Sequence, residues 1–328
     1  MDADLVLEGG GVKGIALVGA IAVLEERGYT FHRIGGTSAG AVVGSLVAAG
    51  MGAGRLEKLM AEIDFAMFED KNLLDRIGPV GEVVSLLVHQ GIYRGESLRE
   101  WLSEELDTLG VRTFGDLRLP EDPGSDLPSE RRYKLVVMTS DVSRGRLVRL
   151  PWDYEDYGLV PDEQPIADAV RASMSIPFFF QPVRLHHSSL GTDCYLVDGG
   201  ALSNFPIDVF DRTDNRPPRW PTFGIKLSAK PDANQVPNPV HNTLDLAKSL
   251  IGTMSNAHDQ MHLDDPCVQR RTIFVDTMHV KATDFHLDRA TQDRLYQNGR
   301  DAARGFLDGS PPDQPLWDFA SYIAECRR

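Results

Sequence analysis

Apolar residues along the chain occur first in short continuous runs and then at helical spacing, and this alternation predicts strands followed by helices. Asp4 to Glu8 is a short apolar run that ends in glycines, and Ile15 to Arg27 has apolar residues at helical spacing. His32 to Gly35 is a second short run, and Ala39 to Ala49 is an almost wholly apolar helical segment. This order predicts a parallel sheet with right-handed crossovers, which is the α/β class.

The later part of the chain continues the pattern without an internal repeat. Strands are predicted in YKLVVMTSDV (133–142), GRLVRL (145–150), YLVDGG (195–200), TFGIKLSA (222–229) and TIFVDTM (272–278). Helices are predicted over 95–110, 166–175, 242–263 and 288–307. We expect one domain over residues 1–310, with a mobile Pro-, Asp- and Ser-rich loop at 119–132 and a Pro-rich C-terminal tail at 311–328.

The net charge and the length of the apolar runs limit which partners we expect for this protein. The chain has 48 acidic and 34 basic residues, a net charge of -14, which disfavours nucleic acid and general attraction to an anionic bilayer. A lipid partner would be held by apolar contact or by local charge. The N-terminus has no secretory pattern, and the longest apolar runs are too short to span a membrane. We therefore expect a soluble, cytoplasmic protein.

The three cysteines support the same location. Cys194, Cys267 and Cys326 are odd in number and far apart, with no CxxC spacing. This arrangement predicts neither a disulfide framework nor a zinc ribbon, and it favours a reducing compartment.

The segment Gly36-Thr37-Ser38-Ala39-Gly40 matches GxSxG at the predicted junction of a strand and a helix. In such a turn the serine Oγ is pushed outward, and the free N–H groups of the following helix favour an oxyanion. Ser38 is therefore a candidate nucleophile, exposed on an elbow whose glycines are Gly36 and Gly40. The alternative is a buried structural serine at a tight turn.

A glycine-rich loop, EGGGVKG, follows the first predicted strand and has three possible uses. Gly9, Gly11 and Gly14 satisfy GxGxxG, but a dinucleotide site needs an acid about twenty residues further on, where Gly35 and Gly36 stand. A Walker A loop fails because no Ser or Thr follows Lys13. The third use is an oxyanion hole built from backbone N–H groups. Lys13, in a first helical turn, indicates an anionic partner or a solvated lysine.

The candidate base is Asp198, at the end of the YLVDGG strand, where Gly199 and Gly200 leave access to its carboxylate. A structural turn aspartate is the alternative. An α/β-hydrolase would use a later histidine, but none of the five between His241 and His286 follows a strand in a glycine-bounded turn.

Together, EGGGVKGIALVGAI, GTSAG and DGG resemble the patatin-like phospholipase family, and Ala172 to Val183 is similar to that family's Ser-x-x-Pro-x-x-x-x-Pro segment. The resemblance covers about residues 5–210. It implies a three-layer α/β/α fold with a mostly parallel sheet, a Ser38–Asp198 dyad and hydrolysis of fatty-acyl esters of phospholipids or related lipids. It also implies an oxyanion hole in the glycine loop, for which the sequence offers Gly9, Gly10, Gly11 and Val12.

The alternatives remain a thioesterase or acyltransferase on the same dyad, a nucleotide-binding module that uses Gly9–Gly14, and a non-catalytic membrane-associated scaffold. Phe178, Phe179 and Phe180 are candidate acyl-chain contacts or core residues, and 80–93 is a candidate lipid-facing or core-facing segment. His258 and His262 have zincin spacing without a third ligand, so we expect no metal and no cofactor. Peripheral membrane contact and the oligomeric state stay open.

Overall fold

A computed structural model describes residues 1–63, 91–214, 216–227, 249, 253, 263–309 and 316–326. Its strands are β1 (Asp2–Leu7), β2 (Thr30–Thr37), β3 (Gly91–Tyr93), β4 (Leu135–Asp141), β5 (Arg146–Leu150), β6 (Phe178–Phe180), β7 (Val183–His187), β8 (Thr192–Asp198), β9 (Thr222–Lys226) and β10 (Thr272–Phe274). Its α-helices are α1 (Ile15–Glu26), α2 (Ala39–Ala48), α3 (Ala53–Glu62), α4 (Glu96–Asp107), α5 (Ile166–Ser173), α6 (Pro266–Gln269), α7 (Arg289–Asp308) and α8 (Phe319–Cys326).

The central sheet has the order β10-β9-β1-β2-β4-β8-β7, and β5 also pairs with β4. The five strands from β10 to β4 are parallel, whereas β8 is antiparallel to β4 and β7 is antiparallel to β8. Because parallel strands end at the same edge, the segments after β1 and β2 meet there. The glycine loop and Ser38 therefore lie at one edge of the sheet.

Successive side chains along the strands pack into two different cores, as the two-residue period of a strand requires. Leu5, Leu7 and Val137 belong to the larger cluster, with residues of α1, α2, α5 and α7. Val6 and Met138 point the other way and pack with a second group, which contains Phe205, Ile207, Phe210 and Val268. Covered on both faces, the sheet forms the middle of a three-layer α/β/α fold, as predicted.

The first four elements confirm the sequence predictions within a few residues. The strand predicted at His32–Gly35 is longer and covers Thr30–Thr37, while the helices begin at Ile15 and Ala39 as expected. Most of the predicted helix over 242–263 and most of segment 80–93 lie outside the described residues. No helix among those the structure describes is long and apolar enough to span a membrane.

The loop at 119–132 is anchored, although its composition predicted a mobile segment. Arg219 forms an ion pair with Asp122, and the Arg212 guanidinium donates a hydrogen bond to the Gly124 carbonyl at 3.1 Å. Nearby, the Thr213 N–H donates to the Asp126 carboxylate. These contacts join the loop to the segment that precedes β9.

A disulfide bond between Cys267 in α6 and Cys326 at the end of α8 corrects the prediction from the cysteine pattern. The two residues are 59 positions apart, and such a separation in a chain with three cysteines carries no pairing signal. Their Cα atoms are 5.5 Å apart because both ends of the C-terminal segment pack on the same part of the fold. The argument from cysteine usage to a reducing compartment is therefore wrong. Cys194 is a buried free thiol.

Candidate active site

The turn between β2 and α2 holds Ser38 in a strained backbone conformation. Ser38 has φ 54° and ψ -123°, which residues with a side chain rarely adopt. A methyl group on Gly36 would overlap the Gly40 carbonyl, and one on Gly40 would overlap the carbonyl of Leu7. The two glycines thus allow β2 to run directly into α2, and Ser38 is the residue that precedes the first turn of the helix.

Ser38 is buried, with 3% of its surface exposed, so the expectation of an exposed serine is wrong. The end of α5 lies over it. The Ser38 N–H donates to Ser173 Oγ at 2.8 Å, and the Ser38 hydroxyl donates to Met174 Sδ at 3.3 Å. Ser173 Oγ in turn donates to the Met138 carbonyl at 2.6 Å, which ties α5 to the central strand β4. The serine is consequently held from both its backbone and its side chain.

The strand register brings Asp198 to the level of Ser38. Because β8 is antiparallel to β4, the rule for parallel strands does not explain the position of its last residue. Asp198 pairs with Thr139 of β4. Met138, the residue before Thr139 in β4, pairs with Thr37 at the end of β2. The carboxylate and the serine hydroxyl therefore lie at the same edge of the sheet, close enough for the hydroxyl to lower the pKa of Asp198.

The environment of the Asp198 carboxylate changes its affinity for a proton. The residue is 6% exposed, and burial raises its pKa to about 6. The N–H group of Gly200, which donates to Oδ1 at 2.8 Å, opposes this rise, as does the Ser38 hydroxyl. Asp198 is thus a stronger base than an exposed carboxylate, yet it is ionised at neutral pH.

The glycine loop offers fewer free N–H groups than the sequence predicted. The Gly9 N–H donates to the Asn204 carbonyl at 3.2 Å, and the Val12 N–H donates to the Ala282 carbonyl at 3.1 Å. Since each amide has one proton, Gly9 and Val12 cannot serve an oxyanion in this arrangement, which corrects two of the four predicted donors. Among the residues that the structure describes, none accepts a hydrogen bond from the amides of the Gly10–Gly11 pair.

The same loop lies directly against the serine. A methyl group on Gly9 would come within 3.0 Å of Ser38 Cβ, and Asn204 Nδ2 fixes the loop by donating to the Gly9 carbonyl at 3.0 Å. Gly11 has φ 56°, and a methyl group there would overlap the Ala282 carbonyl. Only glycine fits this position, because both the left-handed conformation and the close carbonyl exclude a side chain.

Lys13 lies behind the loop in a mostly buried position. Its Nζ donates to the Leu227 carbonyl at 3.4 Å. The pKa of Lys13 is lowered, chiefly by burial. The nearby Glu8 carboxylate opposes this shift, and the Lys226 charge adds to it. Glu8 and Lys226 themselves form a buried ion pair at the ends of β1 and β9. Two lysines and one carboxylate thus leave a single net positive charge, that of Lys13, next to the glycine loop.

An apolar cleft lies next to the serine, since Ala39 and Met174, which adjoin Ser38, are part of its lining. It is lined by Gly11, Val12, Gly14, Ala39, Val42, Val43, Met60, Ile63, Leu98, Trp101, Met174 and Phe285. The Phe178–Phe180 run is not part of this lining: Phe180 is buried in the core, and Phe179 stacks on Phe285 at 5.2 Å. The run therefore supports a wall of the cleft from behind, and the residues that line the cleft come from six other parts of the chain.

Three residues at the site were not predicted individually. Ser173 and Met174 lie in the segment similar to the family, but nothing in its pattern indicated that they contact Ser38. Asn204 follows the DGG turn by four residues, and its contact with Gly9 spans 195 positions. No group of three His, Cys, Asp or Glu side chains in the described part of the chain could hold a metal ion. His258 and His262 lie outside that part.

Comparison with known proteins gives consistent relatives. A family model described as Patatin-like phospholipase matches residues 5–211. The uncharacterized protein YqhO of Bacillus subtilis is 36% identical, over 93% of this chain and 97% of its own length. Lysophospholipase nte1 of Emericella nidulans is 28% identical over 65% of this chain and 12% of its own length.

Among solved structures, VipD from Legionella pneumophila matches with a TM-score of 0.51 and 19% identity, over 93% of this chain and 66% of that chain. This likeness concerns the fold alone. The family model spans more than half of the sequence, and YqhO is similar over nearly all of it. The chain therefore belongs to the patatin-like phospholipase family.

Proposed function

We propose that this protein is a serine lipid acyl hydrolase that cleaves fatty-acyl esters of phospholipids or related lipids. The observation that carries the proposal is the placement of Ser38, on a strained elbow, at the same edge of the sheet as the buried carboxylate of Asp198. Family membership, and relatives such as the lysophospholipase nte1, support a lipid ester as the substrate.

The proposed reaction has two steps. Ser38 Oγ attacks the ester carbonyl carbon while Asp198 accepts the hydroxyl proton, and the carbonyl oxygen becomes an oxyanion. The tetrahedral intermediate collapses, the C–O bond to the alcohol breaks, and Asp198 returns its proton to the leaving oxygen. Water then attacks the acyl-enzyme by the same route and releases the fatty acid.

The N–H groups of Gly10 and Gly11 are the proposed oxyanion donors, since the neighbouring amides are already engaged. Lys13 contacts Gly10: a methyl group on that glycine would be 3.3 Å from Lys13 Cε. With its Nζ bound to the Leu227 carbonyl, the lysine acts by raising the positive potential behind the loop. The apolar cleft would take the acyl chain, with Phe179 holding Phe285 in its wall.

The direct test is release of fatty acid from phosphatidylcholine and lysophosphatidylcholine vesicles, combined with a fluorophosphonate that labels reactive serines. We expect release from at least one of the two lipids and a label on the peptide that contains Ser38. Glycerol added as an acceptor distinguishes hydrolysis from acyl transfer. A protein that neither releases fatty acid nor reacts with the fluorophosphonate would contradict the proposal.

The pH dependence of the reaction should report the carboxylate. Because the base must be ionised and burial raises the Asp198 pKa to about 6, we expect kcat/KM to increase tenfold per pH unit below that value and to level off above it. A pH–rate profile of a soluble ester from pH 4.5 to 8.5 measures the inflection. The profile is repeated at a second temperature, since the pKa of an imidazole falls on warming and that of a carboxyl hardly changes. A profile that is flat down to pH 4.5 would contradict a base with a raised carboxylate pKa.

A substitution in the glycine loop tests the oxyanion donors. Gly11→Ala should lower kcat/KM by about 10²–10³-fold, because the added methyl group displaces the loop from the Ala282 carbonyl and moves its amides away from Ser38. Gly28→Ala is the matched control: Gly28 also has a positive φ, of 79°, but nothing lies within 4 Å of the added methyl group. Equal activity of the two variants would show that the loop does not stabilise the transition state.

A further inference from the structure

Met174 lies at the point where the nucleophile meets the apolar cleft. It follows the last residue of α5, is 6% exposed, and forms part of the cleft lining. Its sulfur accepts the hydrogen bond of the Ser38 hydroxyl at 3.3 Å. A thioether is a weak acceptor, so this bond is easily exchanged for a better one.

The Ser38 hydroxyl has two acceptors and one proton. Met174 Sδ receives that proton in the structure, and the Asp198 carboxylate lies close enough for the hydroxyl to lower its pKa. The reaction requires the proton to be directed at Asp198. Rotation of the Ser38 side chain from sulfur to carboxylate is therefore the step that prepares the nucleophile.

Hydrogen bonds hold the backbone around Met174 in place, whereas the unbranched Met174 side chain can rotate about several bonds. Ser173 is held through its bonds with the Ser38 N–H and the Met138 carbonyl, so α5 cannot withdraw without breaking the elbow's support. The free volume of the cleft is about 30 Å³, which is room for about two or three water molecules and far less than a fatty-acyl chain occupies. An acyl chain can therefore enter only if side chains of the lining move, and Met174 is the flexible side chain of the lining that contacts Ser38.

We propose that Met174 is a positioning and specificity-determining residue. In the empty cleft its thioether holds the Ser38 hydroxyl away from the base, and an entering acyl chain displaces the thioether and releases the hydroxyl to Asp198. Long-chain esters thereby activate the nucleophile that attacks them, whereas short-chain esters do not. The inference rests on the proposed acyl hydrolase function and adds the way in which the site recognises its chain.

The test compares p-nitrophenyl acetate with p-nitrophenyl decanoate in the wild type and in Met174→Leu. Leucine keeps the apolar volume and lacks the sulfur acceptor. We expect kcat at saturating ester to increase about two- to fivefold for the acetate, the factor of one weak hydrogen bond, because its bound complex still keeps that bond; kcat for the decanoate should stay unchanged, because the bound chain has already displaced the thioether. The decanoate-to-acetate ratio should fall accordingly, and the pH at the inflection should be preserved.

Met51→Leu is the control, because Met51 is a buried methionine two residues before α3 and is not among the residues that line the cleft. Its decanoate-to-acetate ratio should equal that of the wild type. If Met174→Leu changes both esters by one factor, or neither, Met174 has only a packing role and the inference is overturned. If wild-type Ser38 reacts with neither ester nor a fluorophosphonate, the proposed function fails first, and the inference falls with it.

Discussion

Replacing Ser38 by alanine is expected to lower kcat/KM for ester hydrolysis by about 10⁴-fold or more, because the acyl-enzyme can no longer form. Labelling by a fluorophosphonate should disappear at the same time. The fold should survive, since alanine accepts the strained backbone as well as serine does and the N–H bond to Ser173 is retained. Fatty-acid release from lysophosphatidylcholine, with a thermal unfolding curve of the same sample, measures both effects.

Ser45→Ala gives the matched control within the same helix. Ser45 is buried in α2. Among the contacts described, its hydroxyl donates only to the Val42 carbonyl, one helical turn earlier, and it does not contact Ser38 or Asp198. Its activity should stay within about twofold of the wild type. If Ser38→Ala keeps a tenth of the wild-type activity and unfolds normally, the nucleophile is a residue other than Ser38.

The sequence was sufficient for the elements that carry the motifs. Strands buried on both faces appear as short continuous apolar runs, and α2 is apolar on every side because the sheet and other helices surround it. GxSxG at such a junction also defines the elbow, since its two glycines are needed wherever a helix packs this closely on a strand. Local patterns thus predicted the position of Ser38.

The sequence was insufficient where one part of the site depends on a distant part of the chain. The Val12 amide is engaged by Ala282 and the Gly9 amide by Asn204, so the number of free oxyanion donors is decided by residues about 200 or more positions away. The burial of Ser38 under Met174 has the same origin. Asp198 was identified on a rule for parallel strands, although its strand is antiparallel to its neighbour and the register alone brings it to the serine.

Asp198→Asn is expected to lower kcat/KM by about 10³-fold while preserving the shape of the site. The amide oxygen can still accept the Gly200 N–H, but it cannot take the Ser38 proton at any pH at which the protein is folded. The residual rate should accordingly lose the inflection near pH 6. Asp193→Asn is the matched control, because Asp193 lies on the same strand, is partly exposed, and pairs with Arg184 and His186 away from the serine.

The same variant should be more stable than the wild type at alkaline pH, and this follows from the sign of the pKa shift. The Asp198 pKa is raised on folding, to about 6, so the folded state binds the proton more tightly than the unfolded chain does. Wild-type stability therefore decreases as pH rises from about 4 to 6, by roughly 3 kcal/mol, whereas asparagine does not titrate. Urea unfolding of both proteins at pH 5 and pH 8 measures the difference. A stability gap that does not widen with pH would mean that Asp198 is not held in an unfavourable charged state, and the explanation of its basicity would be wrong.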